Sequence, residues 1–161
     1  MAESTTVKVP RDGTIVFADN GGSNTYTVAY ENGNLSFDGG AKAERIVIRD
    51  RGIIVGSRKG DQPVLSASFD VHMRMFTTTA GSDLTLCDVL DKTGNASGWT
   101  AVDPAHEEFN LDLRFTVEDG TTDQVVTLSK CICTWEFSEG SPDTISVTCE
   151  VMGGYSATGP T

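Results

Sequence analysis

The sequence has few of the side chains from which catalytic and metal centres are usually built. It contains only two histidines, His72 and His106. His72 lies between Asp70 and Arg74 in an alternating segment, which favours a solvent-facing strand position over a catalytic role. His106 precedes two glutamates but lacks a second histidine four residues away, as a zinc-binding helix requires. We therefore expect no metal, no cofactor and no enzymatic activity.

The four cysteines also fit no metal-binding pattern. Cys131 and Cys133 are one residue apart, whereas zinc knuckles usually place two residues between paired cysteines at a turn. Cys149 lies on the same strand parity as its apolar neighbours, as expected for a small buried side chain. The N-terminus lacks the basic and apolar regions of a signal peptide, so we expect folding in a reducing cytoplasm and reduced thiols.

Positive charge and long apolar runs are scarce as well. There are 12 lysines and arginines against 23 aspartates and glutamates, giving a net charge of −11. This balance argues against nucleic-acid binding through a basic patch, because phosphate affinity comes from lysine and arginine. No apolar run approaches the roughly 20 residues that span a bilayer, so we expect no membrane partner.

What the sequence has in quantity is alternation with a period of two. Apolar and polar residues alternate over 64–76, and two later segments, 109–118 and 143–152, repeat the pattern. Such alternation predicts β-strands with one buried and one solvent-facing side. Together with 17 glycines and turn signals such as Asn32-Gly33, it predicts a single all-β domain over 1–161 with one short helix.

The remaining segments predict shorter elements. Further strands are expected at 14–18, 25–31, 34–38, 45–49 and 53–55, before a polar turn at 57–62. The helix is expected to have Ser82 as its N-cap and to end near Lys92, before Gly94. A strand over 124–137 carries apolar residues on both parities, so either both faces are covered or a bulge shifts its register.

In this order the elements resemble the tail tube (major tail) proteins of long-tailed bacteriophages. Short strands and a hairpin-like excursion precede a long alternating strand, and a short helix of the type Asp-Leu-Thr-Leu-Cys-Asp-Val-Leu (83–90) then leads to further long strands. Lys59-Gly60-Asp61 leading into Pro63-Val64-Leu65 is a further cue. The resemblance spans nearly the whole chain. It implies a two-layer β-sandwich whose long strands form part of a hexameric tube barrel, in rings that stack into a conduit for DNA ejection.

The resemblance also implies roles for surface residues. An acidic lumen would pass DNA without binding it, because carboxylates repel phosphates at close range. The lumen candidates are Asp70, His72, Arg74, Asp112, Arg114, Glu118 and Glu150. Contacts with adjacent subunits and rings are implied for an N-terminal arm at 1–10, the excursion 39–62, the loop 94–108 and a flexible C-terminal tail at 153–161. The candidates there are Val7, Val9, Arg45, Arg49, Arg51, Arg58, Lys59, Asp61, Trp99 and Tyr155.

The implied partners are further copies of the chain and other tail proteins such as the tape measure, the tail tip and the terminator. Genomic DNA would pass through without specific binding, and the protein would reside in the virion tail after synthesis in the host bacterial cytoplasm. Two alternatives stay open. One is a bacterial secretion-tube subunit of the same structural superfamily. The other is a monomeric β-sandwich binding or adhesion module, which would need exposed aromatics; only Trp99 and Trp135 are available as tryptophans.

Overall fold

The structure, a computed structural model, describes residues 13–28, 34–40, 42–72, 84–117 and 124–158. It confirms a mostly β architecture with one short α-helix in this part of the chain. The strands are β1 (Gly13–Ala18), β2 (Thr25–Val28), β3 (Ser36–Asp38), β4 (Arg45–Asp50), β5 (Ile53–Lys59), β6 (Leu65–His72), β7 (Leu111–Val117), β8 (Gln124–Ser138), β9 (Thr144–Val151) and β10 (Tyr155–Thr158). Helix α1 spans Leu86–Asp91, and a 3₁₀ turn follows at Gly94–Ala96. Two predicted segments lie outside the described residues: the N-terminal arm at 1–10 and the end of the long alternating segment, residues 73–76.

Eight of the strands form one antiparallel sheet. Its order is β2-β1-β7-β8-β9-β6-β3. Strands β10 and β9 lie on the same side of β8: β10 pairs with residues 125–128 and β9 with residues 131–138. The sheet is open, because β2 and β3 have no strand partner on their outer sides among the described residues. Strands β4 and β5 form a separate two-stranded sheet.

A bulge in β8 divides the large sheet into two halves. Leu113 pairs with Leu128 but Leu111 pairs with Cys131, so β8 contains an extra residue between these two pairs. Within this step Lys130 adopts a left-handed backbone conformation with φ 56°. Leu128 and Cys131 are both buried although they are three residues apart. The core-facing parity of β8 therefore switches at the bulge, which decides between the two explanations that its sequence pattern allowed.

Side chains from both halves of the sheet contribute to one core. Phe17 of β1 and Phe69 of β6 belong to strands far apart in the sheet order, yet their ring centroids are 6.3 Å apart. On the long strands Ala67, Phe69 and Val71 are buried, which confirms the predicted alternation of β6 where it is described. Both halves of the sheet thus share one core.

Helix α1 begins later than the sequence predicts. Its N-cap is Thr85, whose Oγ1 accepts a hydrogen bond from the Asp88 N–H at 3.1 Å and donates one to Asp88 Oδ2 at 2.8 Å. These reciprocal bonds satisfy the first turn, so the helix starts at Leu86 and not after Ser82, which lies outside the described residues. Lys92, with φ 55°, ends the helix.

Two further expectations are corrected by strand pairing. The sequence predicts a polar turn over 57–62, but residues 57–59 belong to β5, because Arg45, Ile46 and Val47 of β4 pair with them. The sequence also predicts a flexible tail, but Tyr155–Thr158 forms β10, since the first half of β8 offers it an edge beyond the bulge. The Tyr155 ring also packs edge-on against Phe37, with centroids 5.2 Å apart.

Candidate assembly surfaces

The outward side of one sheet half carries an almost continuous polar surface. In cross-strand register, Asp70 of β6 pairs with Ser146 of β9, and Ser146 pairs with Glu136 of β8. Directly paired residues in an antiparallel sheet point to the same side. We call this surface the polar face; it comprises Ser36, Asp38, Ser66, Ser68, Asp70, His72, Ile132, Thr134, Glu136, Ser138, Thr144, Ser146, Thr148 and Glu150.

Among the described residues, the charge of the polar face is negative apart from its histidine. They carry four carboxylates, on Asp38, Asp70, Glu136 and Glu150, and no lysine or arginine. Ile132 is its one apolar member. The face can therefore repel polyanions and offers little apolar surface for binding.

Asp70 holds three segments of the polar face together. Its Oδ1 accepts a hydrogen bond from Ser146 Oγ at 2.6 Å, and its Oδ2 accepts one from Asn34 Nδ2 at 2.9 Å. The Asp70 backbone N–H donates in turn to Asn34 Oδ1 at 3.2 Å. Asp70 thus links β6 to β9 and to the chain just before β3, so it is a structural residue as well as a surface charge.

His72 ends β6 at the border of the polar face, paired with Thr144. Its Nδ1 is buried and has no hydrogen-bond partner among the described residues. The burial of Nδ1 differs from the fully solvated position that the alternation predicts. No ligand role follows from it, since no group of three or more metal-binding side chains occurs in the described part of the chain.

Two backbone edges flank the polar face. From residue 132 to residue 138, β8 pairs with β9 on one side and has no strand on the other among the described residues. At the far side of the same half, β3 is the edge strand next to β6. Unpaired strand edges expose N–H and C=O groups that readily pair with another chain.

Aromatic side chains lie beside the β8 edge on the core-facing parity. Trp135 and Phe137 are 38% and 46% exposed, although their cross-strand neighbours Val147 and Ile145 are buried. The Trp135 Nε1–H donates to Asp91 Oδ2 of helix α1 at 3.0 Å. The β8 edge is therefore accompanied by an incompletely covered apolar strip.

The structure brings together only some of the predicted lumen residues. Asp70, His72 and Glu150 share the polar face. Asp112 and Arg114 lie on β7 in the other sheet half, and Asp112 Oδ1 accepts the Lys130 N–H at 3.1 Å within the bulge. Arg74 and Glu118 lie outside the described residues.

Sequence reasoning did not select Asp38 and Glu136 for this surface. Glu136 could have been found by assuming a bulge at 129–130. After the bulge the odd-numbered residues of β8, such as Cys131, face the core, so Glu136 lies on the other side of the strand. Asp38 follows from its pairing with Ser66, which no feature of the sequence announces.

The β4–β5 hairpin, residues 45–59, is a second distinctive surface, which we call the arm. It pairs with no other strand among the described residues. Its apolar side chains are exposed on both strands: Ile46 37%, Val47 41%, Ile48 48%, Ile53 71%, Ile54 60% and Val55 62%. The interface candidates on the arm are all exposed, namely Arg45, Arg49, Arg51, Arg58 and Lys59.

The other interface candidates have different environments. Asp61 is exposed just after the arm. Trp99 is only 4% exposed and belongs to the core, so it is not available for a surface contact. Tyr155 is 54% exposed but packs against Phe37, and Val7 and Val9 lie outside the described residues.

The cysteines are free, and two of them are buried. Burial raises the pKa of Cys131 far above its usual range. A hydrogen bond with Cys149, together with burial, raises the pKa of Cys133, which pairs directly with Cys149 across β8 and β9. Thiols held in the neutral form are poor nucleophiles and poor metal ligands, so these side chains act as core residues.

A small cavity of about 120 Å³ lies beside the bulge. Its charged groups are already paired, because Lys130 Nζ lies 2.9 Å from Asp103 Oδ2. Asn110 is also engaged, accepting from the Asp103 N–H at 2.7 Å and donating to the Glu108 carbonyl at 3.1 Å. The polar groups around the cavity are thus hydrogen-bonded or ion-paired with one another.

A search for membrane-spanning helices found none in the described part of the chain, where no helix has the necessary length and hydrophobicity.

Comparisons with known proteins show a similarity to a solved structure. No protein-family model and no curated protein sequence matches the chain. Among solved structures, the chain is similar to a chain in the cryo-EM structure of the anti-feeding prophage (AFP) baseplate, 6-fold symmetrised. The TM-score is 0.55 at 15% sequence identity, over 97% of this chain and 98% of that chain. The similarity establishes a shared fold over nearly the full length of both chains.

Proposed function

We propose that the protein is a virion structural protein that assembles with copies of itself into six-membered rings, stacked to form a tail tube. The observation that carries the proposal is the polar face, which is acidic and nearly free of apolar side chains. It is bordered, in the same sheet half, by two edges that have no strand partner among the described residues. The fold shared with a chain of a 6-fold symmetrised prophage baseplate supports the same reading.

Ring closure follows from the two edges. When the free edge of β8 in one copy pairs with the β3 edge of the next, strands β8, β9, β6 and β3 of each copy join one continuous sheet. A repeated head-to-tail contact of this kind closes into a ring if the rotation between copies fits. Closure removes both exposed edges and also covers the apolar strip of Trp135 and Phe137.

The dimensions of such a ring suit a conduit. Six copies with four strands each, at about 4.8 Å per strand, give a circumference of about 115 Å and a backbone diameter of about 37 Å. Strand tilt widens this further. If the polar face points inward, its side chains line a water-filled channel with room for a DNA duplex.

The electrostatics of the inward face suit passage without adhesion. Four carboxylates per copy amount to 24 per ring, with no opposing lysine or arginine on the described part of the face. At physiological salt the screening length is about 8 Å, so the wall repels phosphates that come close and leaves the channel axis nearly field-free. In this proposal the protein has no catalytic role.

The alternative of a monomeric binding module is less well supported. Its expected cluster of exposed aromatics loses Trp99 to the core, and the Trp135 N–H is already bonded to Asp91. A secretion-tube subunit would use the same wall. Detection of the protein in purified virions would favour the phage role over the secretion role.

The direct test is electron microscopy combined with hydrogen exchange. Negative-stain images of the concentrated protein should show rings or tubes with a central channel, and the amides at the free edge of β8 should become protected only in those particles. A protein that stays monomeric at every concentration, even when phage tail initiation complexes are added, would overturn the proposal.

A further inference from the structure

Two cysteines lie directly opposite each other in the large sheet. Cys133 of β8 pairs in register with Cys149 of β9, and directly paired residues of an antiparallel sheet point to the same side. The two thiols are also hydrogen-bonded to each other. Both cysteines are free, so the pair is in its dithiol form.

The spacing of this pair suits a disulfide. Directly opposite residues of an antiparallel pair have Cα atoms about 4.5–5.5 Å apart, and the Cα atoms of a disulfide are usually about 4.4–6.8 Å apart. Joining the two sulfurs therefore requires side-chain rotation and little movement of the backbone. Cys131 is placed differently, because it pairs with Val151 and its thiol donates to the Leu128 carbonyl at 3.3 Å.

A small oxidant can approach the pair from the free edge of β8. Cys133 belongs to residues 132–138, which have no strand on their outer side in the described part of the chain. Cys133 is half-buried at this edge, whereas Cys149 is completely buried. An incoming molecule therefore meets Cys133 first, and Cys149 is in position to react second.

We propose that Cys133 and Cys149 form a redox site, which a low-molecular-weight disulfide such as oxidised glutathione converts to an intramolecular cross-link. The Cys133 thiolate attacks one sulfur of the oxidant and expels a glutathione thiolate, leaving a mixed disulfide on Cys133. The Cys149 thiolate then attacks Cys133 Sγ and expels the second glutathione. Two electrons pass from the protein to the oxidant, and the two thiol protons end on the two released glutathione molecules.

The surroundings of the pair make this reaction slow. The hydrogen bond with Cys149, together with burial, raises the pKa of Cys133, so the reactive thiolate is scarce. In a reducing cytoplasm the pair stays as two core thiols, and the cross-link forms on long exposure to oxidising surroundings. The inference goes beyond the proposed function and does not rest on it, because a single copy of the chain carries both sulfurs.

The cross-link braces the free edge of β8 against β9. It closes a loop over residues 134–148, which contains the turn between the two strands. A disulfide stabilises a protein chiefly by restricting its unfolded chain. For a loop and a domain of these lengths, we expect Tm to rise by about 5–10 °C on oxidation.

The experiment treats the folded full-length protein with oxidised glutathione, then unfolds it and alkylates the remaining thiols. Peptide mapping by mass spectrometry should find Cys133 joined to Cys149, with the loss of two hydrogen atoms, while Cys131 is alkylated. Cys131→Ala is the matched control and should form the same cross-link. Cys149→Ala should instead stop at the mixed disulfide between Cys133 and glutathione.

Recovery of Cys133 and Cys149 as alkylated thiols after prolonged oxidation of the folded wild type would overturn the inference. A cross-link through Cys131 would overturn it as well. Both results come from the wild type, so a variant that fails to fold leaves the test intact. Circular dichroism melts compare the oxidised and reduced protein, and equal Tm values would overturn the bracing effect. None of these measurements requires rings, so failure here leaves the tube proposal standing.

Discussion

The hydrogen bond between Ser146 and Asp70 makes a quantitative prediction about the polar face. Ser146 Oγ lies 2.6 Å from Asp70 Oδ1, and Asn34 Nδ2 lies 2.9 Å from Asp70 Oδ2. Hydrogen bonds to charged groups contribute about 1.5–3 kcal/mol, and partial exposure of Asp70 favours the low end of that range. Asp70→Ala should therefore lower the free energy of unfolding by about 2 kcal/mol, and Ser146→Ala by about 1 kcal/mol.

A double-mutant cycle isolates the bond between the two side chains. The double variant should lose about 2 kcal/mol and not about 3 kcal/mol, giving a coupling energy of about 1 kcal/mol. In thermal terms the Asp70→Ala change amounts to about 4–8 °C in Tm for a domain of this length.

The assay is urea unfolding followed by tryptophan fluorescence, at a concentration low enough to keep the protein monomeric. Ser68→Ala serves as the control, because Ser68 is exposed on the same strand and should change stability by less than about 0.5 kcal/mol. Strictly additive effects of Asp70→Ala and Ser146→Ala would refute the bond. Asp70→Asn removes the charge of Asp70 but keeps an oxygen that can accept the hydrogen bond from Ser146. Its effect on DNA passage therefore reports the charge of Asp70 and not its structural role.

Three further predictions concern residues outside the polar face. Burial alone would raise the pKa of Asp19, but hydrogen bonds from Asn24 and Thr100 hold it below 3.8. The stabilisation by the ionised Asp19 is therefore fully present near neutral pH and is lost as the pH falls through the lowered pKa. Asp19→Asn should cost about 2 kcal/mol at pH 7 and progressively less on acidification, as measured by urea unfolding. Gly153→Ala should cost more than about 1 kcal/mol, because its Cβ would lie 2.8 Å from the Ser129 carbonyl oxygen; an unchanged urea midpoint would contradict this. Cys131 should react with a thiol reagent only after unfolding, since burial raises its pKa; rapid labelling of the native protein, located by mass spectrometry, would argue otherwise.

The strands with regular alternation were predictable from the sequence. Ala67, Phe69 and Val71 of β6 and Ile145, Val147 and Cys149 of β9 are buried as their parity indicates. In these segments one residue in two faces the core, and nothing in the local geometry disturbs the period. The hairpin nature of the arm followed in the same way, from turn residues between two apolar segments.

The elements that sequence reasoning placed wrongly depend on partners distant in the chain. The β10 strand is only four residues long, and it forms on the edge that the first half of β8 offers it. The start of α1 is fixed by the bonds between Thr85 and Asp88, which compete with an equally good cap at Ser82. Trp99 looked like a surface residue within a loop, whereas tertiary packing buries it.

The residues that form the polar face could be identified only from the pairing register of four strands, β3, β6, β8 and β9. Alternation identified Asp70 and Glu150, but the inclusion of Glu136 depends on the bulge at Lys130. The exclusion of Asp112 and Arg114 depends on β7 lying in the other sheet half. These facts are properties of pairing, which a single sequence leaves open because each strand can slip by one residue and present its other side.

The most direct test of the proposed function is a cryo-EM map of the particles that the purified protein forms. We expect six-fold rings in which β8 of one copy pairs with β3 of the next, and in which Asp70, Glu136 and Glu150 point toward a central channel. Rings whose polar face points outward, or assemblies in which the β8 edge stays unpaired, would contradict the proposal that this face is the wall of a DNA conduit.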